Sequence, residues 1–264
     1  MQKVFEELTT AFRKNDGVLH EEQYRQIVTK HTTLLEDAEI NFILLQASGY
    51  PIAQLHDDHY RLETCFTSHE EQRYCVIDIE TNGSKPGTSQ VIEIGAVMLQ
   101  NGEVIDRFET FVECAFLPEY ITKITGIEHT DLIGAPTRKE ALTALRHFMG
   151  DAIFVAHNAN FDYSFLNASF DRFGLGHIGN PKLCTIDLAR RTFESERYGL
   201  AYLIDFLEIE TATHHRAFSD AVCAAKVMEK SLETLPEYVK SADELLRFSI
   251  SSKKERRVKK EKQS

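Results

Sequence analysis

The sequence has no long hydrophobic run, and this absence limits the classes of protein it can encode. Its 264 residues contain no stretch of about 18 consecutive apolar residues, so no membrane span is predicted. The opening residues, MQKVFEELTTAFRKND, carry charges throughout and contain no short apolar core with a cleavage site. They therefore do not predict a secretory signal.

Cysteine is scarce, and no two cysteines form a CxxC pair. The chain has five, at Cys65, Cys75, Cys114, Cys184 and Cys223, so every pairing scheme leaves one over. This pattern argues against a disulfide framework and against a zinc site. The sequence therefore predicts reduced thiols and a cytoplasmic location.

Most of the chain also lacks an excess of positive charge. The formal net charge is −11, and residues 1–70 contain 12 acidic against 6 basic side chains. Non-specific binding to nucleic acid comes mainly from neutralising phosphates, so an acidic body is a poor binder of that kind. Any chemistry on nucleic acid would need metal ions, a local groove or a partner that holds the polymer.

The first 67 residues predict a small helical domain that ends in a hairpin. Apolar residues recur at helical spacing over about 2–14, 20–30 and 35–48, and IAQLHDDHYRLET then predicts two short strands around a polar turn. Three helices and a hairpin are typical of a winged-helix domain. Because DNA binding, the usual function of that fold, conflicts with the acidic charge, we expect a structural or protein-docking role for residues 1–67.

The rest of the chain predicts an α/β domain over 74–235, reached through a linker at 68–73. Strand patterns come first, two of them joined at Asn101-Gly102, which is a strong hairpin signal. Strands then alternate with helices, and this order predicts a mixed sheet flanked by helices. A C-terminal helix over 236–250 and a disordered basic tail over 251–264 complete the predicted organisation.

The stretch CVIDIETNG sets two carboxylates into an otherwise apolar strand. Asp78 and Glu80 are two residues apart and point to the same face, where they repel each other and lose hydration unless a cation is present. The following TNG predicts a turn, so the pair lies at the C-terminal end of the strand, where open α/β sheets place their ligand sites. Taken alone, the pair is better explained by an exposed and solvated strand end.

Two later motifs place acidic residues near the starts of helices. In VAHNANFDYSFL, Asp162 falls in a first helical turn, where the helix dipole favours a capping carboxylate. In HHRAFSDA, Asp220 lies on a helix face lined by small alanines, which predict a close approach of this helix to a neighbouring strand. An unpaired carboxylate is costly there. His215 precedes Asp220 by five residues, and a surface histidine beside a satisfied structural aspartate is the plain alternative.

Together, the four carboxylates and the histidine could converge on one mouth of the sheet. Oxygen ligands without cysteine suit Mg²⁺ or Mn²⁺. Four carboxylates around two such ions can activate water and stabilise an in-line displacement at phosphorus. A histidine nearby can take the proton from the attacking water, because the pKa of histidine lies near the working pH.

The same motifs resemble a known family of nucleases. DIET, HNANFD and HRAFSD resemble the three exonuclease motifs of the DEDD superfamily, histidine subclass. ITGI and CTIDLAR resemble its DnaQ branch, which includes the epsilon proofreading subunit of bacterial DNA polymerase III. The resemblance covers about residues 73–232, and it implies a ribonuclease H-like fold with a central mixed sheet.

The resemblance also implies roles for particular residues. The ligands of two Mg²⁺ or Mn²⁺ ions would be Asp78, Glu80, Asp162 and Asp220, with His215 as the general base. Contacts to the terminal nucleotide would come from Ile79, Thr81, Asn82, Asn158 and Phe161. The implied reaction is hydrolysis of the last phosphodiester at a single-stranded or frayed 3′ end, releasing a nucleoside 5′-monophosphate.

Three functions remain open on the sequence. The first is a proofreading DNA exonuclease that acts with a DNA polymerase III catalytic subunit. The second is an RNA-trimming or DNA-repair exonuclease of the same superfamily, similar to ribonuclease T. The third is a non-catalytic binding module, against which the intact set of five residues argues. The N-terminal 70 residues lie outside the resemblance, and ELLRFSI at 244–250 is more typical of an amphipathic helix than of a clamp-binding peptide.

Overall fold

The computed structural model describes residues 2–31, 37–56, 58–210 and 216–252. His215, its neighbour His214 and most of the predicted basic tail therefore lie outside the described residues. Within these ranges, no helix is both long enough and apolar enough to cross a bilayer.

The N-terminal region contains three helices and a three-stranded antiparallel sheet. In chain order its elements are α1 (Gln2–Lys14), β1 (Val18–His20), α2 (Glu21–His31), α3 (Ala38–Ala47), β2 (Ile52–Leu55) and β3 (His59–Leu62). Strand β3 lies between β1 and β2. The three predicted helices and the hairpin are confirmed. Strand β1 was not predicted, because three residues are too few to show an alternating pattern, and the winged-helix assignment stays a prediction.

The body of the chain holds a second sheet and the remaining described helices. Its strands are β4 (Tyr74–Thr81), β5 (Val91–Gln100), β6 (Glu103–Phe111), β7 (Ile153–Ala156) and β8 (Lys182–Cys184). Its helices are α4 (Glu119–Thr125), α5 (His129–Leu132), α6 (Arg138–Met149), α7 (Ala159–Arg172), α8 (Thr185–Thr192), α9 (Leu200–Phe206), α10 (Ala217–Leu232) and α11 (Ala242–Ile250).

The five strands form one mixed sheet in the order β6-β5-β4-β7-β8. Strand β5 is antiparallel to both β4 and β6, whereas β4, β7 and β8 are parallel to one another. The β5–β6 hairpin turns at Asn101 and Gly102, which both have positive φ, as a type I′ turn requires. The predicted mixed sheet flanked by helices is confirmed.

Alternating side chains on β4 sort into two hydrophobic cores, one on each face of the sheet. Ile77 and Ile79 join α6 and α7 on one face. Val76 joins α10 and α11 on the other. Asp78 follows the same alternation as Val76, so its side chain is directed to the α10 face.

The last helix is shorter than predicted. Residues 236–250 were expected to be helical, but α11 begins at Ala242. Ser241 starts it with a capping box, in which its hydroxyl oxygen accepts from the Glu244 amide and the Glu244 carboxylate accepts from the Ser241 amide. The stretch before Ser241 instead pairs with the predicted linker, since the amide of His69 donates to the carbonyl of Lys240 at 2.9 Å.

The N-terminal region is fixed against the body by buried polar contacts. The carbonyl of Ser48 accepts from the Gly179 amide at 2.7 Å and from the Arg146 guanidinium at 2.8 Å. The buried carboxylate of Asp243 on α11 accepts from Arg13 on α1 at 2.7 Å and from Arg247 at 3.1 Å. These contacts hold α1, α11 and the sheet in one arrangement.

Candidate active site

Three predicted carboxylates meet where β4 ends and α10 begins. Asp78 and Glu80 come from β4, and Asp220 comes from the first turn of α10. Carboxylate oxygens of the three residues all lie within 4.8 Å of one another. The structure thus brings together the first and third sequence motifs, which are about 140 residues apart in the chain.

The fourth carboxylate, Asp162, adjoins this cluster from the other side of β4. It lies in the first turn of α7, directly after β7, and only 3% of its surface is exposed. Its carboxylate accepts a hydrogen bond from the backbone amide of Ile79, and its charge acts on Asp78. Capping of α7 is therefore only part of its role, because it also lies against the strand that carries the acidic pair.

A glycine lets α10 approach the sheet closely enough to complete the cluster. Gly95 on β5 lies opposite Asp78 in the antiparallel register. A Cβ atom at Gly95 would collide with the backbone of Ala217 and Phe218 at the start of α10. Ala221 is also fully buried, so small residues on the helix and on the strand allow backbone to meet backbone, as the alanine pattern predicted.

Burial and mutual repulsion disfavour the charged forms of these carboxylates. Burial, followed by the charges of Asp162, Asp220 and Glu80, raises the pKa of Asp78 well above its usual value. Burial, then the charge of Glu93, raises the pKa of Glu80 to about 8. Burial raises the pKa of Asp162 to about 7, although two backbone amides oppose the shift. The cluster therefore favours bound positive charge.

The donor set fits a hard divalent cation. Among the described residues it consists of carboxylate oxygens at the end of a strand, without the sulfur or nitrogen donors that zinc prefers. A cation held there would offset the burial and the repulsion that disfavour the charged carboxylates. The acidic cluster formed by Asp78, Glu80 and Asp220 is therefore a site that could bind a divalent metal ion.

The metal-free protein is expected to lose stability as the pH rises from about 5 to 8. Each carboxyl binds its proton more tightly in the folded chain than in the unfolded chain, where the pKa is about 4. Its stabilising contribution is therefore complete below that value, and it is lost as the pH passes the folded pKa values of Asp162 and Glu80. Thermal unfolding in EDTA across this range measures the loss.

Added Mn²⁺ should reverse this loss, because the cation competes with protons for the same oxygens. We expect it to raise Tm by roughly 5–10 °C at pH 8 and by much less at pH 5. Asp78→Asn removes one repelling charge, so it should flatten the pH dependence in EDTA and weaken the response to Mn²⁺. Equal responses of the native chain at the two pH values would contradict the assignment.

The residues predicted to contact substrate have contrasting surroundings. Ile79 packs its side chain into the core on the opposite face, so only its backbone faces the site. Thr81 donates its hydroxyl to the carbonyl of Gly83, and the Asn82 side chain joins the carbonyl of Phe116 to the amide of Gln90. These bonds shape the turn after β4. The predicted nucleotide contacts of all three stay predictions.

Asn158 and Phe161 lie at the start of α7. Asn158 has a left-handed backbone with φ 70°, which is one of the conformations that asparagine tolerates. The Phe161 ring is half-buried and lies 5.7 Å from the ring of Phe165. Both residues flank the turn that presents Asp162, and their contacts with substrate also stay predictions.

His157 is a structural residue. Its Nε2 donates to the Tyr198 carbonyl at 2.9 Å, so the Nδ1 of the neutral ring accepts from the Thr185 hydroxyl at 2.8 Å. Burial lowers the pKa of His157 to about 4, so the ring is neutral at physiological pH. The base assigned to His215 stays a prediction, since that residue lies outside the described ranges.

Sequence reasoning missed the pair formed by Glu93 and Arg216. Glu93 is 1% exposed on β5 and lies opposite Glu80 in the register. Arg216 directly precedes α10 and binds its carboxylate at 2.7 Å. The available signal was a single acidic residue within the apolar run VIEIGAV, which marks a buried charge that needs a partner.

Comparison with known proteins identifies the family. The RNase_T exonuclease family matches residues 75–228. The PolC-type DNA polymerase III of Caldanaerobacter subterraneus is 39% identical over 178 residues, covering 66% of this chain and 13% of that protein. The PolC-type enzyme of Staphylococcus aureus strain RF122 is 37% identical over 171 residues, covering 64% of this chain and 12% of that protein. The chain thus spans a small part of the length of these relatives.

Solved structures show the same fold. Exonuclease X in complex with 5′-overhanging duplex DNA superposes with a TM-score of 0.53 at 23% identity, over 67% of this chain and 99% of that chain. Escherichia coli exonuclease I in complex with a dT13 oligonucleotide gives 0.54 at 16% identity, over 60% of this chain and 40% of that chain. The ribonuclease H-like fold predicted from the motifs is confirmed.

The α/β fold and the acidic cluster at the end of β4 are those of a nuclease. The chain belongs to the RNase_T exonuclease family, and the predicted resemblance to DnaQ-like 3′–5′ exonucleases of the DEDD superfamily is confirmed.

Proposed function

We propose that this protein is a metal-dependent exonuclease that hydrolyses the terminal phosphodiester at DNA 3′ ends and releases nucleoside 5′-monophosphates. One observation carries the proposal, namely the meeting of Asp78, Glu80 and Asp220 within 4.8 Å at the end of β4. A structural role would not place three carboxylates there, since their repulsion costs stability unless a cation is bound.

In this mechanism the four carboxylates would hold the metal ions. Asp78, Glu80 and Asp220 offer oxygens from two elements, and Asp162 adds a fourth carboxylate from α7. Two divalent ions, Mg²⁺ or Mn²⁺, supply when bound the positive charge that activates water and stabilises the oxygens around phosphorus. Because protons compete with the metal ions for the carboxylates, the site binds cations more tightly as the pH rises through the raised pKa values.

The other residues bind the substrate and move the proton. His215 takes the proton of the attacking water, and in the sequence it directly precedes Arg216. The turn formed by Thr81 and Asn82 is held by its own hydrogen bonds, so it offers the 3′ nucleotide a rigid floor next to Glu80. Ile79 contributes through its backbone only.

DNA is the proposed substrate, and a DNA polymerase III catalytic subunit is the proposed partner. The relatives are PolC-type DNA polymerases III, and the two structural neighbours were solved with DNA bound. The chain has an acidic net charge, which suits an enzyme that grips only a few nucleotides and depends on a partner to hold the duplex. Proofreading during replication in the cytoplasm is the setting we infer.

The N-terminal region supports a docking role. Three apolar side chains at helical spacing are exposed on α3, namely Ile40 at 40%, Ile43 at 56% and Leu44 at 43%. The region also carries an excess of acidic residues, which disfavours DNA as its ligand. Its rigid contacts with the body would fix a bound protein relative to the carboxylate site.

A digestion series tests the proposed function. The substrates are a 5′-labelled primer–template with a mismatched 3′ end, the same primer fully paired, the single strand alone and an RNA of the same sequence. Each is incubated with Mg²⁺, Mn²⁺ or EDTA. We expect stepwise shortening from the 3′ end only with a divalent ion, fastest on mismatched and single-stranded DNA, with 5′-mononucleotides as products.

The same series separates the alternatives. Faster digestion of RNA would replace the proposal with an RNA-trimming exonuclease of the same superfamily. Binding of substrate without shortening in either metal would indicate a non-catalytic binding module. A 3′-phosphorylated primer serves as control, because a blocked terminus reports whether the enzyme needs a free 3′ hydroxyl.

A further inference from the structure

Glu93 is a buried carboxylate beside the four-carboxylate site, but it is not one of the four. It lies on β5 opposite Glu80, with 1% of its surface exposed. A buried charge in an apolar strand is strongly unfavourable unless it is paired and hydrogen-bonded. The partners that satisfy Glu93 therefore show what the charge is for.

Those partners come from two consecutive residues at the start of α10. Oε1 of Glu93 accepts from Nε of Arg216 at 3.0 Å and from Nη2 at 2.7 Å. Oε2 accepts from the backbone amide of Ala217 at 3.1 Å. The Arg216 guanidinium also lies 5.3 Å from the centre of the Phe111 ring on β6. Both oxygens are thus occupied, and the helix dipole further favours a negative charge at this end.

The contacts of Glu93 with Arg216 and Ala217 form a clamp that holds the first turn of α10, from which the third motif projects. The carbonyl of Arg216 accepts from the amide of Asp220 at 2.9 Å, so the position of Arg216 sets the first turn of α10. Asp220 projects from that turn into the carboxylate cluster. His215 is the residue directly before Arg216 in the chain. The clamp therefore fixes the backbone that carries Asp220.

An ion pair that served stability alone would not need this geometry. Replacing a buried pair with apolar side chains often leaves stability unchanged, so burial by itself is weak evidence for a stabilising role. Here three donors converge on one carboxylate, and all three belong to the residues that begin α10. Such an arrangement restrains the direction of a helix as well as its attachment.

We propose that Glu93 and Arg216 are positioning residues, which set the start of α10 and thereby place Asp220 for catalysis. The inference rests on the proposed function. Neither residue is assigned to the metal ions or to the substrate.

Three variants test the clamp. Arg216→Met removes the donors and keeps the length of the side chain, Arg216→Lys keeps the charge without the planar fork, and Glu93→Gln removes the acceptor charge. Arg61→Met is the matched control, because Arg61 forms a similar forked pair with Glu63 in the N-terminal region. For each variant kcat and KM are measured on single-stranded DNA, together with Mn²⁺ affinity by calorimetry and Tm.

We expect Arg216→Met and Glu93→Gln to lower kcat by about 10- to 100-fold with little change in KM. Mn²⁺ affinity should fall in the same variants without substrate, because Asp220 is displaced. Arg216→Lys should recover part of both losses, and Arg61→Met should match the native chain. If Arg216→Met fails to fold, Arg216→Lys still allows kcat and Mn²⁺ affinity to be measured in a variant of the same residue.

A lower Tm with native kcat and native Mn²⁺ affinity in the clamp variants would overturn the inference. The calorimetric measurement keeps the two proposals distinguishable. If the native chain released no mononucleotides, the proposed function would fail, yet a selective loss of Mn²⁺ affinity in the Arg216 variants would still support the positioning role. Equal Mn²⁺ affinity in Arg216→Met, Arg61→Met and the native chain would reject it.

Discussion

Asp78→Asn is expected to lower the rate of mononucleotide release by about a thousandfold or more, since loss of a metal-binding charge removes several kcal/mol of transition-state stabilisation. Asparagine keeps the shape of the side chain but removes one charge and weakens an oxygen ligand. Asp78 is the residue on which the charges of Asp162, Asp220 and Glu80 all act. It therefore stands at the centre of the site.

The measurement is release of labelled mononucleotide in Mg²⁺, with Asp205→Asn as the matched control on the exposed surface of α9. Tm in EDTA is a second measurement, and it should change in the opposite direction to activity. Removing a repelling charge should raise the stability of the metal-free variant while activity is lost. A variant with native activity would show that Asp78 is not in the catalytic site.

Gly95→Ala is expected to lower the free energy of unfolding by about 3 kcal/mol, at the upper end of the range for overpacked cores. The new methyl group would meet the backbone of Ala217 and Phe218, which cannot rotate away as a side chain can. Relief requires α10 to move off β5. Since that movement also withdraws Asp220, activity should fall in molecules that remain folded.

Urea unfolding gives the stability change, and exonuclease assays below the transition give the activity. Gly199→Ala is the control, because a Cβ atom there meets nothing within 4 Å and its backbone φ of −73° suits any residue. It should change the free energy of unfolding by less than about 1 kcal/mol. Comparable effects of the two substitutions would argue against the close approach at Gly95.

The sequence predicted the parts of the site that depend on local pattern. Alternation along β4 put Asp78 and Glu80 on one face, and the small residues of α10 indicated close packing around Asp220. Both patterns are observed in the structure, because they follow from the regular spacing of side chains along a strand or a helix. The three motifs then identified the family that the comparisons confirm.

The contacts that the sequence did not predict join residues far apart in the chain. Glu93 and Arg216 are separated by 123 positions, and a lone acidic residue in a strand does not indicate its partner. The two donors at Ser48 bind its backbone carbonyl, and every residue has such a carbonyl, so the residue type does not indicate the contact. The start of α11 was misplaced because the cap at Ser241 outweighed the apolar residues before it.

The pairing of Arg13 with Asp243 also has a consequence for the order in which the protein is made. The two residues lie 230 positions apart, and the buried carboxylate takes both Arg13 and Arg247. During synthesis the helices α1 to α3 leave the ribosome before α11 and can fold earlier. The ion pair between Arg13 and Asp243 cannot form until α11 has emerged. The final position of α1 is therefore reached only after α11 has been synthesised.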